Sequence, residues 1–244
     1  MRHCITYGNA IPILTDRQYL LVMKIVRVVD LSHPVTSNTQ VYPGDPVPHI
    51  EQHSTIERDG FNLMSISMGS QSGTHVDAPF HFDDDGIKID EIPLELFVGR
   101  AVIFDCGELS ARQEITIESL GDQLENIKAG DMAIFKTRWS RFFGTDEYFN
   151  NPYLSAELVA SLIERGVLTF GLDAINIDET PDDEHPGVGF PAHHLIAKVG
   201  GVICENLTNL DAIDFAEPTV SLLPMKFIGI DGAPVRAVAL EVSF

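Results

Sequence analysis

Short apolar runs closed by Gly, Pro, Asp or Asn recur along this chain, and no other feature limits its fold as much. They lie at residues 25–31, 41–46, 61–68, 101–105, 132–137, 168–173, 201–205, 220–224 and 237–242. A helix needs about 10 to 12 residues to bury a face, so runs this short read as strands. Three segments carry helix signals instead. Ser155 can cap a helix that presents Leu158, Val159, Leu162 and Ile163 on one face and stops at Gly166, with Glu157 in its positively polarised first turn. Thr116 can cap a second that ends before Gly130, and Pro191 suits the first turn of a third that ends at Gly200. No self-similarity is visible at periods of about 20–50 residues. The expectation is a single strand-rich mixed α/β domain.

That domain is expected over residues 23–244, because Met23 directly precedes the first β-branched run. Residues 1–22 have mixed polarity, a proline at Pro12 and no sustained period, and read as an N-terminal extension, disordered or ahead of the true start. The charge balance, 36 Asp and Glu against 16 Lys and Arg for a formal −20, speaks against nucleic acid and anionic membrane as partners. Lys24 and Arg27 break the early apolar window, which falls short of the ~20 apolar residues of a membrane span, and no small-residue cleavage site follows it. Three widely spaced cysteines, Cys4, Cys106 and Cys204, make neither a disulfide framework nor a thiolate metal cluster, so a cytoplasmic location is expected.

Chemistry concentrates in residues 71–82, Gln-Ser-Gly-Thr-His-Val-Asp-Ala-Pro-Phe-His-Phe. On an extended chain Gln71, His75, Asp77 and His81 share one face, since side chains two apart point the same way. An imidazole and a carboxylate at that spacing can chelate one divalent cation. Gly73 permits close approach of the backbone, and Pro79 ends the strand, freeing His81 to face the site as an acid or base. Asp83, Asp84 and Asp85 read as a solvated turn. Farther on, Glu205 ends an apolar run and needs a partner or a metal there. His193 and His194 are about 100° apart on a helix, so one of them can face a shared site. His33, Tyr42 and Trp139, the last with Phe142 and Phe143, are candidates to line a substrate pocket, and Asp173 is a candidate support for metal ligands.

Gly73-Thr74-His75, Asp77, Pro79 and His81 resemble the signature of the cyclase family of metal-dependent hydrolases, which includes bacterial kynurenine formamidases and isatin hydrolases. Further blocks agree: Asp30-Leu31-Ser32-His33-Pro34, Tyr42-Pro43-Gly44-Asp45, Ile92-Pro93-Leu94 with Val98-Gly99, Phe190-Pro191-Ala192-His193, Glu205-Asn206-Leu207 and Pro234-Val235-Arg236-Ala237. The likeness covers most of residues 25–244 and implies a swivelling β/α fold. Carried over by motif, it implies His75 and Asp77 as metal ligands, His81 as the acid/base, His193 as a later ligand and Glu205 as its partner. Gln71 stands where the signature has its first histidine and is expected to be a weak ligand or none, because an amide oxygen binds zinc less well than imidazole. One or two ions of zinc or manganese per chain are therefore expected. The resemblance further implies a small-molecule substrate and a homodimer or homotetramer. The leading expectation is an arylformamidase-like amide hydrolase; the alternatives are a hydrolase of a cyclic amide or lactone, and a metal- or ligand-binding protein without turnover.

Overall fold

The computed structural model describes residues 23–243, so the expected extension over residues 1–22 lies outside them. In chain order the strands are β1 (Lys24–Asp30), β2 (His49–Ser54), β3 (Leu63–Ser67), β4 (His75–Asp77), β5 (Val98–Asp105), β6 (Glu114–Ile115), β7 (Met132–Lys136), β8 (Tyr153–Leu154), β9 (Thr169–Leu172), β10 (Val202–Glu205), β11 (Thr219–Ser221), β12 (Gly232–Pro234) and β13 (Val238–Ser243). The helices are α1 (Ile56–Asp59), α2 (Ile117–Leu120), α3 (Ala156–Glu164) and α4 (Pro191–Lys198). Nine strands form one sheet in the order β1-β13-β11-β5-β7-β9-β10-β4-β12. Its centre, β5-β7-β9-β10, is parallel, and both flanks are antiparallel.

Burial on both faces explains the unbroken apolar runs of the central strands. Along β7, Ala133 and Phe135 join the cluster beneath α3 and α4, while Met132 and Ile134 face the opposite cluster. The second cluster draws Val29 and Ala239 from one end of the sheet and Val76 and Ala233 from the other, so the sheet wraps around it. On α3, Ser155 Oγ accepts from Leu158 N at 3.1 Å, and Leu158, Val159 and Leu162 are buried. Burying each of these side chains stabilises the fold by about 1.5–3 kcal/mol. The result is a strand-rich mixed α/β domain, as the punctuation of the sequence predicts.

Two expectations need correction. Residues 41–46 make no strand: Asp45 N donates to Tyr42 O at 3.0 Å in a turn, and Pro43 and Pro46 lack the N–H groups a ladder requires. The helix capped by Thr116 ends after Leu120 and continues as a 3₁₀ stretch, Gly121–Asn126. Glycine costs a helix about 1 kcal/mol relative to alanine, and the tighter winding that follows still delivers Leu124 to the core beside Leu120 of α2.

Candidate metal centre

The site grows from β4, three residues held between β10 and β12. Its alternation sends Val76 into the core and leaves His75 and Asp77 on the other face. Register sets Glu205, the last residue of β10, directly across from His75. The chain enters β4 through Gly73 at φ +67°, where a Cβ would lie 2.9 Å from Val35 Cγ2, so a side chain there is excluded twice over. His193 arrives from the first turn of α4. Asp178 accepts from the backbone N–H groups of Ala192 (2.9 Å) and His193 (3.1 Å), satisfying the start of that helix, and also accepts from His193 Nδ1 at 2.7 Å. Gly73 O does the same for His75 Nδ1 at 2.8 Å. With both Nδ1 atoms donating, both Nε2 lone pairs are free to bind a metal.

Those two nitrogens meet two carboxylates. His75 Nε2 lies 3.3 Å from Asp77 Oδ1 and 3.7 Å from Glu205 Oε2, and His193 Nε2 lies 3.5 Å from Asp77 Oδ2 and 3.5 Å from Glu205 Oε1. All four side chains are buried. Among the described residues, neither oxygen of Asp77 accepts a well-formed hydrogen bond, and a buried carboxylate left so costs several kcal/mol unless a cation compensates it. One ligand atom each from His75, Asp77 and Glu205 can be chosen within 4.8 Å of one another. Two imidazoles and two carboxylates are a donor set for zinc or manganese, so these residues fit a divalent ion.

Electrostatics agree. Burial opposes charge on His75 and His193, yet the carboxylates around them raise the pair to about 9 and about 10. Burial, reinforced by the charge of Asp77, pushes Glu205 up to about 7. Asp77 itself is held below the usual carboxylate range: burial works against ionisation and the imidazoles outweigh it. Such a field attracts positive charge, whether as protons on the imidazoles or as one metal ion.

A cavity of about 230 Å³ opens above this cluster, with Gln71, His81, Tyr42, Asp45, Phe82 and Phe190 among the residues that line it. His81 sits in the 3₁₀ turn Pro79–His81 that Pro79 forces at the end of β4. The Gln71 amide donates from Nε2 to Asp231 Oδ2 at 2.7 Å, and its Oε1 is buried without a partner among the described residues. Gly232 makes room for that amide, since a Cβ there would lie 2.7 Å from Gln71 Nε2. The structure thus brings Gln71, His75, His81, His193, Glu205 and Tyr42 to one cavity, sets Asp77 against His75 and His193 beside it, and leaves His194 exposed.

His33, Trp139 and Asp173 are placed elsewhere. His33 stacks on Phe143 with ring centroids 3.8 Å apart, and burial lowers it to about 4. Trp139 is core, its indole N–H donating to Tyr148 O at 3.1 Å. A bulky aromatic beside Phe142 is absorbed by packing rather than by the cavity. Asp173 accepts from Thr137 N (2.7 Å), Thr137 Oγ1 (2.6 Å) and Arg138 N (2.9 Å), closing a turn instead of supporting a ligand. Asp83, Asp84 and Asp85 are exposed in a turn, as expected. Two residues that no local sequence signal marks also belong to the site, Asp178 and Asp231. Asp178 lies far from His193 along the chain with no periodicity to link them, and Asp231 precedes a glycine and has the look of a turn residue.

Comparison with known proteins decides the family. The family model described as "Putative cyclase" matches residues 29–179. The chain belongs to the cyclase family. It is 33% identical to the kynurenine formamidase of Bacillus mycoides over 88% of this chain and 98% of that protein, and 32% identical to that of Bacillus cereus over the same shares. Among solved cyclase-like structures, isatin hydrolase A from Labrenzia aggregata, bound to benzyl benzoate, superimposes with a TM-score of 0.78 at 28% identity, covering 88% of this chain and 93% of its own. A predicted metal-dependent hydrolase from Bacillus stearothermophilus gives 0.68 at 26% identity, covering 90% and 98%. This member of the cyclase family is a metal-dependent hydrolase.

Proposed function

We propose that this chain hydrolyses the amide of a small aryl formamide, an N-formylkynurenine-type molecule being the first choice, with His81 as acid/base. The chain is a hydrolase of C–N bonds other than peptide bonds, and the kynurenine formamidases that match it nearly end to end support the formyl substrate. Asp77's two unpartnered oxygens, held between the Nε2 atoms of His75 and His193 at the base of the cavity, carry this reading. When bound by His75, Asp77, His193 and Glu205, a divalent ion supplies Lewis acidity, polarising a carbonyl and lowering the pKa of water. Zinc or manganese, one or two ions per chain, suits these donors.

The protein's own groups do the rest. Phe82, Phe190 and Ile175 give the cavity apolar walls that fit an aromatic ring and keep bulk water away from the amide. His81 takes a proton as water adds to the formyl carbon and returns it to nitrogen as the C–N bond breaks, yielding the arylamine and formate. A second reading, ring-opening of a cyclic amide or a lactone, is favoured by the likeness to isatin hydrolase A. Assembly as a homodimer or homotetramer belongs to the same reading, supported by the apolar side chains that the β2–β3 hairpin leaves exposed.

The test assays protein loaded with zinc or with manganese side by side on N-formylkynurenine and isatin, following formate release and ring opening. Turnover of the formyl amide is expected, lost on chelation and lowered by about 10²-fold or more in His81→Ala. Isatin turnover alone would replace the first reading with the second. A fully metal-loaded protein that turns over neither amides nor lactones would leave only metal or ligand binding.

A further inference from the structure

His81 has a carboxylate behind it. Asp231 immediately precedes β12, whose Gly232 pairs with Asp77, and its backbone oxygen accepts from Ala78 N at 2.8 Å. The same strand that presents His75 and Asp77 therefore fixes where the Asp231 side chain stands. Its Oδ1 accepts from Ser70 Oγ at 2.9 Å, and its Oδ2 accepts from Gln71 Nε2 at 2.7 Å and faces His81 Nδ1 at 3.1 Å. His81 is anchored in turn by its own backbone N–H, which donates to Ala78 O at 2.9 Å. Both partners of the Asp231–His81 pair are thus tied to one backbone position, Ala78.

This contact fixes the state of the imidazole. A carboxylate accepts and does not donate, so the ring nitrogen facing it carries the proton and the lone pair of neutral His81 lies on Nε2. Burial opposes charge on His81, and Asp231 together with Asp77 more than offsets it, raising the imidazole above its ordinary value. Asp231 is lowered to about 2, its burial outweighed by the hydrogen bonds from His81, Gln71 and Ser70, so it stays ionised while His81 changes charge.

The geometry points to Asp231 as the positioning residue for His81: it selects the Nδ1–H tautomer, aims the ring and stabilises the imidazolium formed when Nε2 takes a proton. This rests on His81 being the acid/base of the proposed hydrolysis. In that reaction a water O–H bond breaks as its oxygen bonds to the carbonyl carbon, and the proton passes to Nε2. It then passes from Nε2 to the amide nitrogen as the C–N bond breaks, with Asp231 ionised throughout. Gln71 has a share in this, since its Nε2 donates to the same Oδ2 and lies 3.4 Å from His81 Nδ1. Here the residue in place of the signature's first histidine is engaged with the carboxylate that orients the base.

The experiment compares metal-loaded parent, Asp231→Asn, His81→Ala and the double variant for kcat, KM, metal per chain and Tm. Asp231→Asn preserves shape and removes charge; kcat is expected to fall roughly 10²-fold with KM and metal content close to parent. In the His81→Ala background the same substitution should change kcat by less than about 2-fold, because a residue that acts through another has nothing to act on. Asp231→Glu keeps the charge and should retain more kcat than Asn, and it carries the test should the Asn variant be too unstable to assay. Equal losses from Asp231→Asn in both backgrounds, or a loss confined to KM or metal content, would overturn the positioning role alone. Parental kcat in His81→Ala would instead overturn the acid–base reading, and this role with it.

Discussion

Asp178 joins two tasks that are separable by experiment. It accepts from the first N–H groups of α4 and from His193 Nδ1, so it both starts the helix and fixes which imidazole nitrogen faces the site. Asp178→Asn leaves one acceptor oxygen where the carboxylate offers two, and removes the charge that makes His193 a stronger ligand. Metal affinity, measured by competition with a chelating dye, should weaken about 10- to 100-fold, while Tm of the metal-free protein falls by a few degrees for the acceptor lost at the start of α4. Unchanged affinity would mean that Asp178 serves the helix alone. At this scale, the sequence shows best what local spacing controls. His75 and Asp77 share a face because they are two apart on a strand, and Pro79 frees His81 because it cannot continue the ladder. Asp178 and Asp231 stay hidden because their partners are distant in the chain and their neighbours read as turn. His33 and Trp139 go astray for a related reason: aromatic side chains suit a pocket wall and a core equally, and only tertiary packing chooses.

Strand length and punctuation are legible at the scale of elements, and pairing is not. Runs of four to eight apolar residues become β5, β7, β9 and β10, but nothing local announces that β10 lies beside β4 with Glu205 across from His75. The β2–β3 hairpin shows what the single chain leaves unfinished. Its ladder pairs His49 with Ser67 through to Ser54 with Leu63, yet Leu63, Met64 and Ile66 are all at least 48% exposed, so among the described residues neither face of β3 is covered. A two-stranded ribbon with both faces wet is marginal in water, and a second copy of the chain would cover it. Light scattering on the parent should give the mass of a dimer or tetramer. Replacing Met64 and Ile66 by Lys should shift it toward monomer with the circular dichroism of the fold intact. A monomeric parent would refute assembly, and an unmoved mass in the variant would place the contact elsewhere.

Across the whole molecule, the metal centre is a junction. Its four groups come from β4, β10 and α4; α4 packs on one core cluster, Val76 and Cys204 of the same two strands belong to the other, and Ile203 joins the first. An ion bound there ties both clusters together, so binding should appear as fold stability and not only as activity. At a free-ion concentration of about 100 Kd the gain is about 2.7 kcal/mol, which for a domain of this size raises Tm by roughly 5–11 °C. Chelation should lower Tm by that amount, readdition of zinc or manganese should restore it, and Asp77→Asn should remove the response. Protonation gives the pH sign. In the ion-free protein His75 and His193 are raised to about 9 and about 10, so near neutral pH both must release protons for the metal to bind. The thermal shift at fixed metal should therefore grow from about pH 6 to about pH 8, as proton competition weakens. A shift that shrinks over that interval would show that these imidazoles are not the ligands, and a parent Tm indifferent to both chelator and metal would show that the junction needs no ion to hold.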